Sequence, residues 1–235
     1  MLRWPRAVLF DFDGVIVNSE PLHFRAFRDV LAAEKITLDE REYWDDLIGF
    51  DDRGALRHVF ETRNLPIAPK DLSRMMASKG QVMMDLIRRE GFQPLSGVEE
   101  FVRGLWWNYP LAICSGARLE EIEAMLEGIA LRDCFGVITA AEDVTRGKPD
   151  PEGYLLTLKR LSEKLKIDAL TPADCLVIED APSVIESCRA AGFPVLGVAT
   201  SHFPDKLKAA KADWVVKTLE PKEVKVLIPQ LKIGV

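Results

Sequence analysis

Two hydrophobic periods divide the chain. The first short apolar run, Val8-Leu9-Phe10, stops abruptly at polar residues, the pattern of a buried strand. Side chains alternate along a strand, so Asp11 and Asp13 leave it on roughly the same side. Gly14 then lets the backbone turn away. From about Glu20 to Arg89 the period is helical. Leu22, Phe24, Phe27, Val30 and Leu31 approximate one helical face. Further helices are expected over residues 39–47 and 53–62, the latter ending before Asn64-Leu65-Pro66. A fourth, after Pro69, carries Leu72, Met75, Met76, Val82, Met83, Leu86 and Ile87 in one or two segments, with the methionines packed in a core.

From Pro94 onward short apolar runs alternate with helical patterns. Helices are predicted over 98–107, 118–127, 149–164 and 183–191, and strands over 111–114, 136–139, 175–178, 195–198 and 214–216, before a C-terminal helix. This βαβα order argues for an α/β fold, a Rossmann-like parallel sheet covered by helices on both faces. The core domain is expected to comprise residues 1–16 and 94–235, with an all-helical domain, 17–93, inserted after the first strand. Two connections make a hinge, and a hinged helical lobe makes a lid.

Composition narrows the function classes. A hydrophobic fraction of 48% in 235 residues supplies a sizeable core. A net charge of -6 gives no electrostatic case for nucleic acid or an anionic membrane. No apolar run approaches the ~20 residues that span a bilayer. Met1 to Arg6 lead directly into the first strand, leaving no room for a signal peptide, so a cytoplasmic protein is expected. Cys114, Cys134, Cys175 and Cys188 show no C-x-x-C spacing and read as reduced structural thiols. No G-x-S-x-G sequence supports a serine-hydrolase triad.

The chemistry lies at the strand ends. In open parallel sheets, ligands bind outside the carboxyl ends of the strands. The first strand delivers Asp11 and Asp13 there, and the second Ser115, Gly116 and Ala117. The third leads into Arg146-Gly147-Lys148-Pro149, and the fourth delivers Glu179 and Asp180. Four carboxylates against one lysine call for a divalent cation, above all if the site accepts an anion. Hard oxygen ligands beside a phosphate suit Mg²⁺, whereas Zn²⁺ more often takes His or Cys.

The segments Asp11-Phe12-Asp13-Gly14-Val15, Ile113-Cys114-Ser115-Gly116-Ala117, Arg146-Gly147-Lys148-Pro149-Asp150-Pro151 and Val177-Ile178-Glu179-Asp180-Ala181-Pro182 resemble, in order, the four motifs of the haloacid dehalogenase superfamily. With its helical insert, the chain is similar to the phosphatase and β-phosphoglucomutase branch. The resemblance implies an Asp11 nucleophile that forms an aspartyl-phosphate, and Asp13 as acid and then base. It implies that Ser115, the Gly116 amide and Lys148 hold the phosphoryl oxygens. Asp11, the Asp13 carbonyl, Asp180 and Glu179 are then the Mg²⁺ site. Ala181, Val184 and Asn18 depart from the usual pattern, and Ala181 removes a hydroxyl beside the metal site.

In the lid, His23 and Arg53 approximately match substrate-binding residues of β-phosphoglucomutase relatives, and Lys79 matches a lid lysine less closely. An arginine facing the core would suit a second anionic group on the substrate. The expected activity is Mg²⁺-dependent hydrolysis of a small phosphorylated sugar or acid. A phosphosugar mutase is the alternative, and a non-catalytic phosphometabolite-binding protein a lesser one.

Overall fold

The computed structural model describes residues 4–166 and 170–234. Strand β1 (Ala7–Phe10) lies in the middle of the sheet, and all four of its residues are buried. It pairs in parallel with β4 (Leu111–Cys114) on one side and β6 (Cys175–Glu179) on the other. Beyond β4 comes β5 (Phe135–Thr139), and beyond β6 come β7 (Val195–Val198) and β8 (Trp214–Val216). Every pairing in this sheet is parallel, so all six carboxyl ends emerge along one edge.

Alternation along β1 feeds two cores. Val8 and Phe10 join Phe101 of α5 (Val98–Trp106), Ile122 of α6 (Leu119–Gly128) and Val224 of α10 (Pro221–Leu227). Ala7 and Leu9 join Leu158 of α7 (Glu152–Leu165), Ile185 of α8 (Pro182–Ala190) and Leu207 of α9 (Pro204–Ala209). The sheet is thus covered on both faces. A fully buried side chain of the size of Phe10 contributes about 1.5–3 kcal/mol.

Between β1 and β4 run the helices α1 (Glu20–Ala33), α2 (Glu40–Glu42), α3 (Asp52–Thr62) and α4 (Pro69–Glu90). They have their own core, in which Phe27, Leu31, Leu56, Val59 and Met75 meet. Met83 and Ile87, on the second half of α4, instead join the sheet-side cluster, where α4 packs on α6. The chain enters and leaves this segment through β2 (Val17–Asn18) and β3 (Gln93–Pro94), which pair antiparallel. The two expected linkers are therefore one hydrogen-bonded ribbon, and the boundaries placed at 16/17 and 93/94 fall on it.

Local differences from expectation have local causes. Helix α7 starts at Glu152, not Pro149. The Asp150 N–H closes a turn onto the Gly147 carbonyl at 3.0 Å, and the Asp150 carboxylate accepts the Glu152 N–H at 2.9 Å. Residues 39–47 begin as α2 but widen into a π-helical turn at Tyr43–Leu47. Helix α9 and the β2–β3 ribbon are too short to show a period and were not anticipated. All four cysteines are buried free thiols. Among the described residues no helix is long and apolar enough to cross a membrane.

Candidate active site

The cluster begins where β1 ends. The Asp11 N–H bonds the Ile178 carbonyl at 2.9 Å, extending the sheet by one residue and fixing the direction of the side chain. Its Oδ1 lies 2.6 Å from the Phe12 N–H donor and 2.6 Å from Lys148 Nζ. Lys148 reaches in from the turn before α7 and also meets Glu179 Oε1 at 2.7 Å. The Tyr154 hydroxyl donates to that same oxygen at 3.3 Å. Glu179 Oε2 accepts the Asp180 and Ala181 N–H groups, both at 2.8 Å. Both Glu179 oxygens are thus engaged in holding Lys148 and the strand-to-helix turn. Burial opposes the charge on Lys148, but Asp11 and Glu179 outweigh it and hold its proton affinity well above the ordinary lysine value.

Asp180 follows on the same edge, and its Oδ2 accepts from the Ser201 hydroxyl in the loop after β7. The hydroxyl absent at Ala181 is thus supplied by a different strand end. Ser201 lies outside the four motif segments, and its only signal in the sequence is its place after the next strand, β7. Gly14 has φ +75, and a Cβ there would stand 2.1 Å from Asp180 Oδ2, so only glycine fits. Val184 is buried in the core beneath α8, and Asn18 is exposed on β2.

Asp11, Glu179 and Asp180 each offer an oxygen within 4.8 Å of the others. Burial, then the neighbouring Glu179 carboxylate, raises the proton affinity of Asp11 well above the usual carboxylate range, and Lys148 does not cancel this. Asp180 is raised well above it by the same two causes. Buried carboxylates with uncompensated charge are costly, and hard oxygen donors in this arrangement fit a divalent cation such as Mg²⁺.

Asp13 faces a different set of partners. Its Oδ1 accepts from the Ser19 hydroxyl and lies 3.2 Å from His23 Nε2, while Ser115 Oγ donates to Oδ2 at 3.2 Å. Ser115 Oγ also accepts the Ala117 N–H at 2.9 Å. Burial pushes Asp13 upward, but His23 and Ser19 outweigh it and bring its pKa down to about 2. Behind His23, Lys79 Nζ lies 2.7 Å from His23 Nδ1, 2.9 Å from Asp52 Oδ1 and 3.8 Å from Glu121 Oε2. A ring accepting from Lys79 at Nδ1 and donating to Asp13 at Nε2 satisfies both contacts. Asp52 belongs to α3 and Glu121 to α6, so Lys79 ties the inserted helices to the sheet domain.

These groups surround a cavity of about 50 Å³, room for a few water molecules. Asp11, Asp13, Gly116, Lys148 and Asp180 line it from the sheet edge, and Glu20, His23, Tyr43 and Asp52 from the helices. Ser115 reaches it through Asp13. Arg53 is not among them: it is exposed and borders a separate cleft with Met76, Arg118 and Glu142. Arg53, expected as a substrate-binding residue, is therefore placed outside the lining of this cavity. The helix turn places its neighbour Asp52 inward instead. Lys79 is also outside the lining, behind His23. Glu20, Tyr43 and Asp52 were missed because only the packing of the inserted helices on one another brings them together, and Glu121 because it comes from α6.

The comparisons agree with this geometry. Residues 8–198 match the family model described as haloacid dehalogenase-like hydrolase. A phosphorylated carbohydrates phosphatase of Thermotoga maritima is 30% identical over 227 residues, covering 93% of this chain and 95% of that protein. A β-phosphoglucomutase of Bacillus subtilis is 27% identical over 200 residues, covering 82% of this chain and 83% of the other. The solved structure of β-phosphoglucomutase from Clostridium difficile superposes with a TM-score of 0.81 at 23% identity, covering 96% of each chain. The chain belongs to the haloacid dehalogenase-like hydrolase family, in the branch whose members include phosphatases and β-phosphoglucomutase.

Proposed function

We propose that the protein is a Mg²⁺-dependent phosphatase that hydrolyses small phosphorylated metabolites through an aspartyl-phosphate on Asp11. The observation that carries this reading is the convergence of Asp11, Asp13 and Lys148 on one cavity beneath the helices, with Ser115 hydrogen-bonded to Asp13. An Asp11 oxygen attacks phosphorus while the bond to the leaving oxygen breaks, and Asp13 gives that oxygen a proton. The incoming phosphoryl charge beside Asp13 raises its proton affinity for this task. Asp13, again a carboxylate, then takes a proton from water. That water attacks phosphorus, and the bond to Asp11 breaks to release phosphate.

Lys148, Ser115 and the Gly116 amide hold the phosphoryl oxygens as charge shifts among them. Asp11, Asp180 and the Asp13 main-chain carbonyl would hold Mg²⁺, and Glu179, occupied at both oxygens, would act beside them by holding Lys148. When bound, the ion supplies positive charge that screens a carboxylate approaching an anion. Residues 17–93 act as a cap domain over a core of 1–16 and 94–235. The cavity of about 50 Å³ is smaller than a sugar phosphate, so on this reading the cap moves aside to admit substrate. Buried free thiols suit the reducing cytoplasm, where we place the enzyme.

The same residues serve a mutase if a sugar hydroxyl, rather than water, attacks the aspartyl-phosphate, and the β-phosphoglucomutase relatives favour keeping that arm in the test. Purified protein is incubated with Mg²⁺ and a panel of sugar phosphates, then with β-glucose 1-phosphate and a bisphosphate activator. The proposal predicts free phosphate from the panel. Isomerisation to glucose 6-phosphate without phosphate release would establish the mutase instead.

A further inference from the structure

Two hydroxyls on one loop meet the acidic cluster from outside the four motif segments. The loop leaves the carboxyl end of β7, beside β6, and runs to α9. Its base is tied down where the Ala199 N–H donates to the Val216 carbonyl at 2.8 Å. Beyond it the Thr200 hydroxyl donates to the Gly14 carbonyl at 2.5 Å, and the Ser201 hydroxyl donates to Asp180 Oδ2. One loop thus reaches the turn after β1 and the turn after β6.

Each contact steadies a different oxygen of the proposed metal site. Asp180 Oδ2 is wedged between the Ser201 hydroxyl and Gly14, where a Cβ would stand 2.1 Å from it. Holding one carboxylate oxygen sets the plane of the group, and with it the aim of the other oxygen. The Asp13 carbonyl and the Gly14 N–H belong to one planar peptide group. That N–H is held by the Val17 carbonyl at 2.8 Å, and Thr200 pins the next peptide through the Gly14 carbonyl. With both planes fixed, the Asp13 carbonyl keeps one direction. Ala181 has no hydroxyl to offer, so Asp180 depends on this loop for its donor. We infer that Thr200 and Ser201 are positioning residues of the metal site, holding the Asp13 carbonyl and the Asp180 carboxylate ready for the cation. The inference rests on the Mg²⁺ reading above and extends it to residues that make no contact with substrate.

A loop that merely closes the fold would make the same bonds, and metal affinity separates the two roles. Mg²⁺ is titrated into the substrate-free protein and the rise in Tm is followed, giving an apparent Kd without turnover. Ser201→Ala is expected to raise that Kd by about tenfold, because partners that orient metal ligands govern affinity on this scale. Thr200→Val keeps the shape, loses the hydroxyl and is expected to raise it by about threefold. Ser201→Thr retains the donor and is expected to restore binding to within about twofold of wild type. A fold-closing role predicts instead a lower metal-free Tm with the Kd unmoved. A Ser201→Ala Kd within about twofold of wild type overturns the inference, as does a Ser201→Thr protein that binds as weakly as Ser201→Ala. Where Ser201→Ala fails to fold, Thr200→Val decides by the same threshold. A wild-type Tm that Mg²⁺ does not move contradicts the metal reading itself and removes this inference with it.

Discussion

Two lysines, one lining the cavity and one behind its wall, are each paired with two carboxylates. Lys148 holds Asp11 at 2.6 Å and Glu179 at 2.7 Å, at the edge where every strand ends. Lys79 holds Asp52 at 2.9 Å and Glu121 at 3.8 Å, one layer behind the cavity wall. Their burial and partners are alike; what differs is which groups face the open space. Lys148 lines the cavity beside the proposed nucleophile, whereas Lys79 touches it only through His23. On the proposed reading, Lys148 serves the phosphoryl group, while Lys79 links the inserted helices to α6 through Glu121.

Of the two lysines, the larger effect on turnover is expected at Lys148. Lys148→Ala removes the cation that faces the phosphoryl oxygens, and kcat for phosphate release is expected to fall by about 10²–10³-fold. A loss of less than about fivefold would place Lys148 with Lys79 as a structural cation. The corresponding change at the second lysine, Lys79→Met, leaves Asp52 and Glu121 without their counter-charge. Glu121 already lacks a hydrogen-bond partner at both oxygens among the described residues. Urea unfolding is expected to report a loss of about 3–5 kcal/mol. A change under about 1 kcal/mol means that the tie between the domains is not where the stability lies.

A smaller effect is expected where the two regions touch directly. Asp51 caps α3 by accepting the Gly54 N–H at 2.7 Å, and its carboxylate sits against Gly147. A Cβ on Gly147 would stand 1.8 Å from Asp51 Oδ2. Gly147→Ala therefore wedges the cap open, at a cost of about 1–3 kcal/mol to the closed form. The expected readout is a raised KM or a lowered kcat, with little change in unfolding midpoint. An unchanged kcat/KM would show that closure does not require this contact.

The smallest effect concerns pH and metal. Asp11 and Asp180 hold protons more tightly in the fold than in the unfolded chain, because of burial and then of Glu179. Their contribution to stability is complete below the unfolded carboxylate value of about 4 and is lost as pH rises through their raised folded values. A divalent cation offsets that loss, so the rise in Tm on adding Mg²⁺ should be larger at pH 8 than at pH 5. With the ion at about 100 times its Kd, a rise of roughly 5–10 °C is expected at pH 8. An equal rise at both values would separate the metal from these carboxylates.

The two lysines also show what a sequence reveals. Lys148 was legible because its loop follows a parallel strand that ends on the same edge, and because Arg146-Gly147-Lys148-Pro149 resembles a family motif. Asp11, Ser115 and Asp180 could be placed by that rule alone, and the strands themselves followed from apolar runs. The surroundings of Lys79 were not legible. Asp52 and Arg53 are neighbours on one helix, and a turn of about 100° decides which faces the cavity. The family resemblance favoured Arg53, whereas the fold turns Asp52 inward. Glu121 sits on a helix of the other domain, and only the way α4 packs on α6 brings it to Lys79. Local pattern specifies elements; contacts between elements distant in sequence depend on how they pack.

The most direct test of the central claim is Mg²⁺-dependent phosphate release by the wild-type protein and by Asp11→Asn, purified identically and run against glycerol 3-phosphate and glucitol 6-phosphate. The account predicts release that EDTA abolishes and that falls by on the order of 10⁴-fold or more in the variant, as loss of a nucleophile does. Release that persists in Asp11→Asn at a rate near the wild type would contradict an aspartyl-phosphate on this residue.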